Sequence, residues 1–269
     1  MKKTVCILLA LCLCLGCAAC GSRRQVGQRI QTIQVLVEQD YSLAFRAYDN
    51  TEIYVTAAIE VLSAQGKVDE LSQKWFGDRI VSFPRNAGAL DEYEEIVGRD
   101  LIVGVDINSF PLAYIANGQY WGYDVELAYA VCELLGWNLR FQSIEKENVY
   151  VELSSGNIDV AWGGIALDQN QVQQGIYSQY GPYVHNDIVI AARSGAFLFN
   201  KLMLGGKTLA MSSTPEAMAA LNSDAKLAGR MGRVTRLAGG TLECFDYLLG
   251  GKCDAVLTDS TAVYYFNCH

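Results

Sequence analysis

Two carboxylates stand at the ends of strand-like runs. Asp106 closes Leu101-Ile102-Val103-Gly104-Val105, and Asp259 follows Ala255-Val256-Leu257-Thr258. A carboxylate can accept charge-assisted hydrogen bonds from an ammonium, which are the strong kind. Ser212, Ser213 and Thr214 precede Pro215-Glu216 at the start of a predicted helix. Free N–H groups there favour an anion, although simple capping is an equal use for these hydroxyls. His185 and His269 are the only histidines, and no Ser–His–Asp, Cys–His or metal-spaced set accompanies them. Catalytic residues, a metal and a cofactor are therefore not expected.

The elements that must position these residues follow from the apolar pattern. Leu101–Val105 is a short aliphatic run of the kind that forms a buried parallel strand. Gly122-Tyr123-Asp124 then opens a helix with Val125, Ala128, Tyr129 and Cys132 on its apolar face. Asp124 suits a helix start. This is half a βα unit, and in open α/β sheets the carboxyl ends of the strands face the ligand crevice. Leu139–Gln142, Ile158–Trp162, Ile188–Arg193 and Thr208–Met211 read as further strands, and Val149–Ser154 and Leu242–Leu249 as helices. Gly163-Gly164 follows one strand, where glycine lets backbone approach a ligand. Nearer the front, Ile30–Val37 and Tyr41–Arg46 read as strands. A helix from Asn50-Thr51 to Gly66 and a second from Val68 to Gly77 come next.

The 269 residues carry a net charge of −8, more acidic still without Lys2 and Lys3. That argues against nucleic acid or anionic lipid as the main partner. Met1-Lys2-Lys3, an apolar run from Val5 to Leu15 and Gly16-Cys17-Ala18-Ala19-Cys20 make a secretory leader, 1–20. The run is short for a membrane span. The small residues before Cys20 resemble a lipoprotein cleavage box, so lipidation of Cys20 is expected, with Cys17 as the fallback. Cys132 reads as core. Cys244 and Cys253 could pair, but spacing alone leaves that open.

The order strand-Gly-x-Asp, a loop with Phe110-Pro111, Gly122-Tyr123-Asp124 and an amphipathic helix resembles the start of the polar amino-acid family of ABC-transporter substrate-binding proteins. Ser155-Gly156-Asn157-Ile158-Asp159-Val160, Gly163-Gly164-Ile165, Gly206-Lys207-Thr208 and Gly251-Lys252-Cys253-Asp254-Ala255-Val256 continue the resemblance in order. It implies an α/β, two-lobed type II periplasmic-binding-protein fold. The front of the chain resembles the family's usual closing segment, with Tyr41–Arg46, Thr51–Ala64, Gly66-Lys67-Val68 and Leu71–Gly77 in that role. The chain also stops at Cys268-His269, where the family would continue into such a segment. A circularly permuted fold is the economical reading, since permutation is tolerated where termini lie close on the surface. Lobe one is then 40–193, composed of the usual tail 40–83, a linker 84–99 and the usual start 100–193. Lobe two is 194–269 plus 22–39. The strands 40–46 and 188–193 would be the two hinge strands.

By the same resemblance Asp106 and Asp259 hold the amino group of a bound amino acid. Ser213 and Thr214 fall where a ligand carboxylate would sit. The family's aromatic near the first loop falls at Ser109 or Phe110, and Ala166 stands where a hydroxyl residue usually follows Gly-Ile, after the Gly163-Gly164 pair. The family's carboxylate-gripping arginine should fall near Gln171, yet no arginine lies between Arg140 and Arg193. The ligand then keeps a carboxylate held by backbone N–H groups and Gln171, or is an amine or other cation. Trp162, Tyr114 or Tyr123 could offer it a cation–π face, or serve as core. The expected protein is an extracytoplasmic, lipid-anchored, monomeric solute-binding component of an ABC importer. It would deliver a small amine-bearing solute to a membrane permease. The alternatives are a cyclohexadienyl-dehydratase-like enzyme on the same scaffold, which the missing arginine weakens, and a sensory ligand-binding module.

Overall fold

Hydrophobic runs of two kinds build this chain: fully apolar strands, and helices with one apolar face. The computed structural model describes residues 30–93 and 95–269. The leader 1–20, with Cys17 and Cys20, and residues 22–29 of the expected second lobe lie outside the described residues.

The chain begins with β1 (Ile30–Val37), β2 (Asp40–Arg46), α1 (Thr51–Ala64) and α2 (Lys67–Phe76). After an irregular connector come β3 (Asp100–Val105), a small antiparallel unit β4 (Asn108–Ser109), β5 (Ala113–Ala116) and β6 (Gln119–Trp121), and α3 (Tyr123–Leu135). β7 (Asn138–Ser143), α4 (Val149–Ser155), β8 (Val160–Ala161), α5 (Gln169–Gln173), β9 (Tyr177–His185) and β10 (Ile188–Arg193) follow. The remainder is β11 (Thr208–Ser212), α6 (Pro215–Ser223), α7 (Ala225–Ala228), β12 (Arg233–Leu237), α8 (Gly240–Leu249), β13 (Ala255–Asp259) and α9 (Ser260–Cys268).

Two five-stranded sheets result. The first runs β7-β3-β8-β2-β9 and the second β1-β10-β13-β11-β12. In the first, β3 is parallel to β7 and β8, while β2 is antiparallel to β8 and β9. The front of the chain therefore completes the same sheet that holds Val103. Leu43, Phe45, Val55, Ile59, Trp75 and Phe76 share one buried cluster with Leu101, Val103, Leu127, Val131 and Val160. In the second sheet β11 is parallel to β12 and β13, and β10 lies antiparallel between β1 and β13.

The chain passes between the sheets twice, at 37–40 and at 185–188. The two passages lie side by side: the Asn186 N–H donates to the Gln39 carbonyl at 2.9 Å, and Asp40 pairs with His185. The sequence reading made the strands 40–46 and 188–193 themselves the crossings. Each instead pairs inside a single sheet, and Ile188–Arg193 belongs to the second sheet, not to the first lobe. The physical marker is the polar interruption His185-Asn186-Asp187. A strand buried on both faces stays apolar, so the chain leaves one sheet where polarity breaks the run.

Asp124 also differs from its expected use. It sits in the first turn of α3, but its carboxylate makes no cap. It accepts from Trp162 Nε1 at 3.2 Å and Tyr183 Oη at 2.6 Å. Burial pushes Asp124 up to about 7, against the hydrogen bonds from Tyr183 and Trp162. Cys132 lies in the core as expected, and Cys244 and Cys253 are buried free thiols. Helix α9 packs across onto α2. Asn267 near its end exchanges two hydrogen bonds with the backbone of Ile30, at 2.7 and 3.0 Å.

Candidate functional site

The carboxyl ends of β3, β7 and β13 converge on a cleft between the two sheets, as expected for an open α/β arrangement. Asp106 follows β3 and is buried, its carboxylate accepting from the Asn108 N–H at 2.9 Å. Lys146 follows β7 in a short 3₁₀ turn. Asp259 ends β13. Glu216 lies in the first turn of α6, where the helix dipole favours an acid. Thr214 caps that helix, its Oγ1 accepting from the Ala217 N–H at 3.3 Å.

Lys146 is the junction. Its ammonium forms an ion pair with Glu216 from across the cleft and lies 3.7 Å from Asp106 Oδ2. Burial alone would lower the Lys146 ammonium; Glu216 and then Asp106 and Asp259 outweigh it and hold the group above its ordinary value. Asp259 moves the other way for an acid. Burial first, then the neighbouring Glu216, push it to about 7, with Lys146 opposing and Asp106 adding. The cleft has a volume of about 650 Å³ open to solvent and is also lined by Glu145, Glu147, Asn108, Ser212, Thr241 and Thr258. Five carboxylates thus face one lysine, and no arginine lines the cleft. Thr258 is buried, and its hydroxyl has no hydrogen-bond partner among the described residues. Chemically such a cluster of carboxylates can hold a cation.

The structure brings together Asp106, Thr214 and Asp259 of the residues singled out from sequence. Ser213 is exposed beside the cleft, and its N–H donates to the Leu237 carbonyl at 3.0 Å. Phe110 is buried at the junction of the two lobes, with ring centroids 4.9 Å from Tyr114 and 4.8 Å from Tyr265. Trp162 is fully buried behind the cleft against Asp124. Gly163 and Gly164 hold the Asp106 turn: the Gly163 carbonyl accepts from the Asp106 N–H, and a Cβ on Gly164, at φ +76°, would overlap Ser109 Oγ. Ala166 and Gln171 line an adjoining hollow that shares only Lys146 and Glu147 with the cleft.

Lys146, Glu216 and Thr258 escaped the sequence reading. The available signal was position: Glu145-Lys146-Glu147 follows the end of β7 as Asp106 follows the end of β3.

Two α/β lobes, joined by a double crossing and closed over a polar cleft, define a type II periplasmic-binding-protein architecture. Residues 101–238 match the bacterial extracellular solute-binding proteins, family 3, and the chain belongs to that family. It is 27% identical over 176 residues to a "Probable amino-acid ABC transporter-binding protein" of Haemophilus influenzae, covering 64% of each chain. It is 28% identical over 90 residues to the "Probable amino-acid-binding protein YxeM" of Bacillus subtilis, covering 34% of each. A polar amino acid ABC uptake transporter substrate-binding protein from Streptococcus thermophilus is similar in structure, at 26% identity and a TM-score of 0.45, with 60% of this chain and 61% of that one covered. In each case the chain spans less than two thirds of the relative's length. No described helix is long and apolar enough to cross a membrane.

Proposed function

We propose that this chain is the solute-binding component of an ABC importer, non-catalytic, which closes its two lobes over a small amine-bearing solute and delivers it to a permease. One observation carries the reading: Asp106 from one lobe and Glu216 and Asp259 from the other converge on a single ammonium, that of Lys146. In the liganded protein the solute's ammonium takes that place and Lys146 swings aside. An amino acid or an amine derivative fits; without an arginine, any ligand carboxylate relies on the displaced Lys146 ammonium. The lipid anchor at Cys20 would keep the protein at the outer face of the cell membrane.

The permuted order is part of this proposal. It is supported by the bonds between Asn267 and Ile30, which put the last helix beside the first strand. The lobes would then be 40–185 and 188–269 with 22–37, hinged at the two crossings. Hinge closure shifts only as far as the ligand prefers the closed form.

Calorimetric titration of the chain beginning at residue 21 against amino acids, diamines and monoamines tests the binding reading. Saturable heat with an amine-bearing solute, lost in Asp106→Asn, is expected; silence towards all of them refutes it. A chain rebuilt in the order 100–269, short linker, 28–83 tests the permutation. It should fold with the parent's circular dichroism and bind the same solute.

A further inference from the structure

The molecule is acidic, but not everywhere. Residues 193–236 hold seven lysines and arginines against two acids, Glu216 and Asp224, and Glu216 is spent in the cleft. Strand direction decides where those bases go. β11 and β13 end at the cleft, with Ser212 and Asp259. Their starting ends, and that of the parallel β12, lie at the opposite pole of the second sheet. Lys207 and Arg233 flank those starts, joined by Arg233 N–H to Lys207 carbonyl, and the Gly206 N–H donates to the Arg230 carbonyl. The ion pairs at this pole are Lys201 with Asp224 at 3.1 Å and Lys207 with Asp254 at 3.8 Å.

The same pole carries apolar side chains that stand exposed among the described residues. In the segment after β10, Phe197 is 72% exposed, Phe199 65%, Leu202 68% and Met203 40%. Phe197 and Phe199 stand edge to face at 6.3 Å, while Leu198 and Leu204 between and beyond them are buried and root the segment in the core. Large apolar side chains held out of the core, ringed by lysine and arginine, are the composition of an interfacial membrane contact.

The front of the chain enters the fold at this place. Ile30 pairs with Arg193, and the Gln31 side chain donates to the Leu198 carbonyl at 2.7 Å. Ten residues separate Ile30 from Cys20, a reach of at most about 35 Å. The first described residues therefore lie at the basic, apolar pole, and the cleft lies at the far end of the same strands.

We infer that the pole formed by Phe197–Met203 and Lys201, Lys207, Arg230 and Arg233 seats on a bilayer of anionic lipid. The aromatic and aliphatic side chains enter the headgroup boundary and the bases meet the lipid phosphates. Docked this way, the protein turns its cleft away from the bilayer, towards the medium from which solute is captured. The contact is local, so the acidic charge of the rest of the molecule keeps it from lying flat.

Flotation of the chain beginning at residue 21, which keeps every described element and has no lipid, separates this contact from any anchor at Cys20. The protein should float with vesicles of phosphatidylglycerol and phosphatidylcholine in equal parts, and at least tenfold less with phosphatidylcholine alone or in 0.5 M salt. Phe197→Ser with Phe199→Ser and Leu202→Ser should weaken binding about tenfold, as should Arg230→Glu with Arg233→Glu. Both sets are exposed, so the unfolding midpoint and solute binding at the cleft should be those of the parent. Flotation with neither vesicle, equal flotation with both, or variants that float like the parent overturns the inference. So does a loop variant that changes only the sedimentation of the chain, since the segment would then cover a second copy of itself.

Discussion

Replacing Asp259 with asparagine should remove a pH-dependent penalty on stability and make the protein a poorer binder. The native carboxyl keeps its proton up to about pH 7, because burial and then Glu216 oppose its charge. In the unfolded chain the same group gives up its proton near pH 4. Between those values the native state holds the extra proton, so stability falls as pH rises from about 4 to about 7 and is level above that. Three units at about 1.4 kcal/mol each give a penalty of at most about 4 kcal/mol at pH 8. The amide of the D259N variant would carry no such penalty, although a buried amide has a cost of its own. That cost does not depend on pH. The stability of D259N relative to the parent should therefore grow by about 2–3 kcal/mol between pH 5 and pH 8, whatever its absolute value. Urea unfolding at the two pH values reads this directly. Affinity for an amine-bearing solute should fall 10- to 100-fold at pH 8, the loss of a charge-assisted hydrogen bond worth about 1.5–3 kcal/mol. In the parent, affinity should weaken below pH 7 as Asp259 takes up its proton. If the stability of D259N relative to the parent does not change between pH 5 and pH 8 and the variant binds like the parent, Asp259 is a structural acid and the reasoning fails.

Other changes test other parts of the site. Lys146→Met removes the internal cation that a ligand must displace, so affinity for an amine should rise about tenfold while unliganded stability drops by ~1–3 kcal/mol; a loss of affinity in calorimetry would mean Lys146 holds the ligand. Tyr183→Phe removes a 2.6 Å hydrogen bond to Asp124. Since Asp124 is pushed up to about 7, the cost in urea unfolding should be under ~1 kcal/mol at pH 5 and reach ~1.5–3 kcal/mol at pH 8, where the carboxylate is charged. Gly164→Ala forces a side chain onto Ser109 Oγ at φ +76° and should lower stability by ~2 kcal/mol or more. Gln171→Ala, facing the adjoining hollow, should leave solute affinity within about twofold in the same titration.

Much of the framework was readable from local pattern because the elements that matter are locally consistent. Leu101–Val105 is apolar throughout since β3 is covered by strands on both sides and by helices on its faces. Gly66, Gly77 and Gly156 stop helices where the backbone turns left-handed. The ordered motifs from Asp106 to Val256 identified the family and led to Asp106 and Asp259 together, because each depends on its position at a strand end rather than on a distant partner. What was not readable is what distance in sequence hides. Lys146 and Glu216 are 70 residues apart and meet only across the cleft between the two sheets; neither has a neighbour that marks it. Phe110 was a candidate ligand contact only through the family resemblance, which has an aromatic near the first loop. It is instead packed against Tyr114, Tyr265 and Phe266, and α9, which brings two of those rings, was not expected from the sequence at all. Trp162 is withdrawn from the cleft for a related reason. A buried Asp124 needs donors, and the Trp162 indole and Tyr183 hydroxyl supply them from other strands. The acidic cleft is the case where the two kinds of information combine. Strand ends predict where acids collect, but only the folded geometry reveals that they collect around a lysine, which is why the proposed binding of an amine would substitute one cation for another.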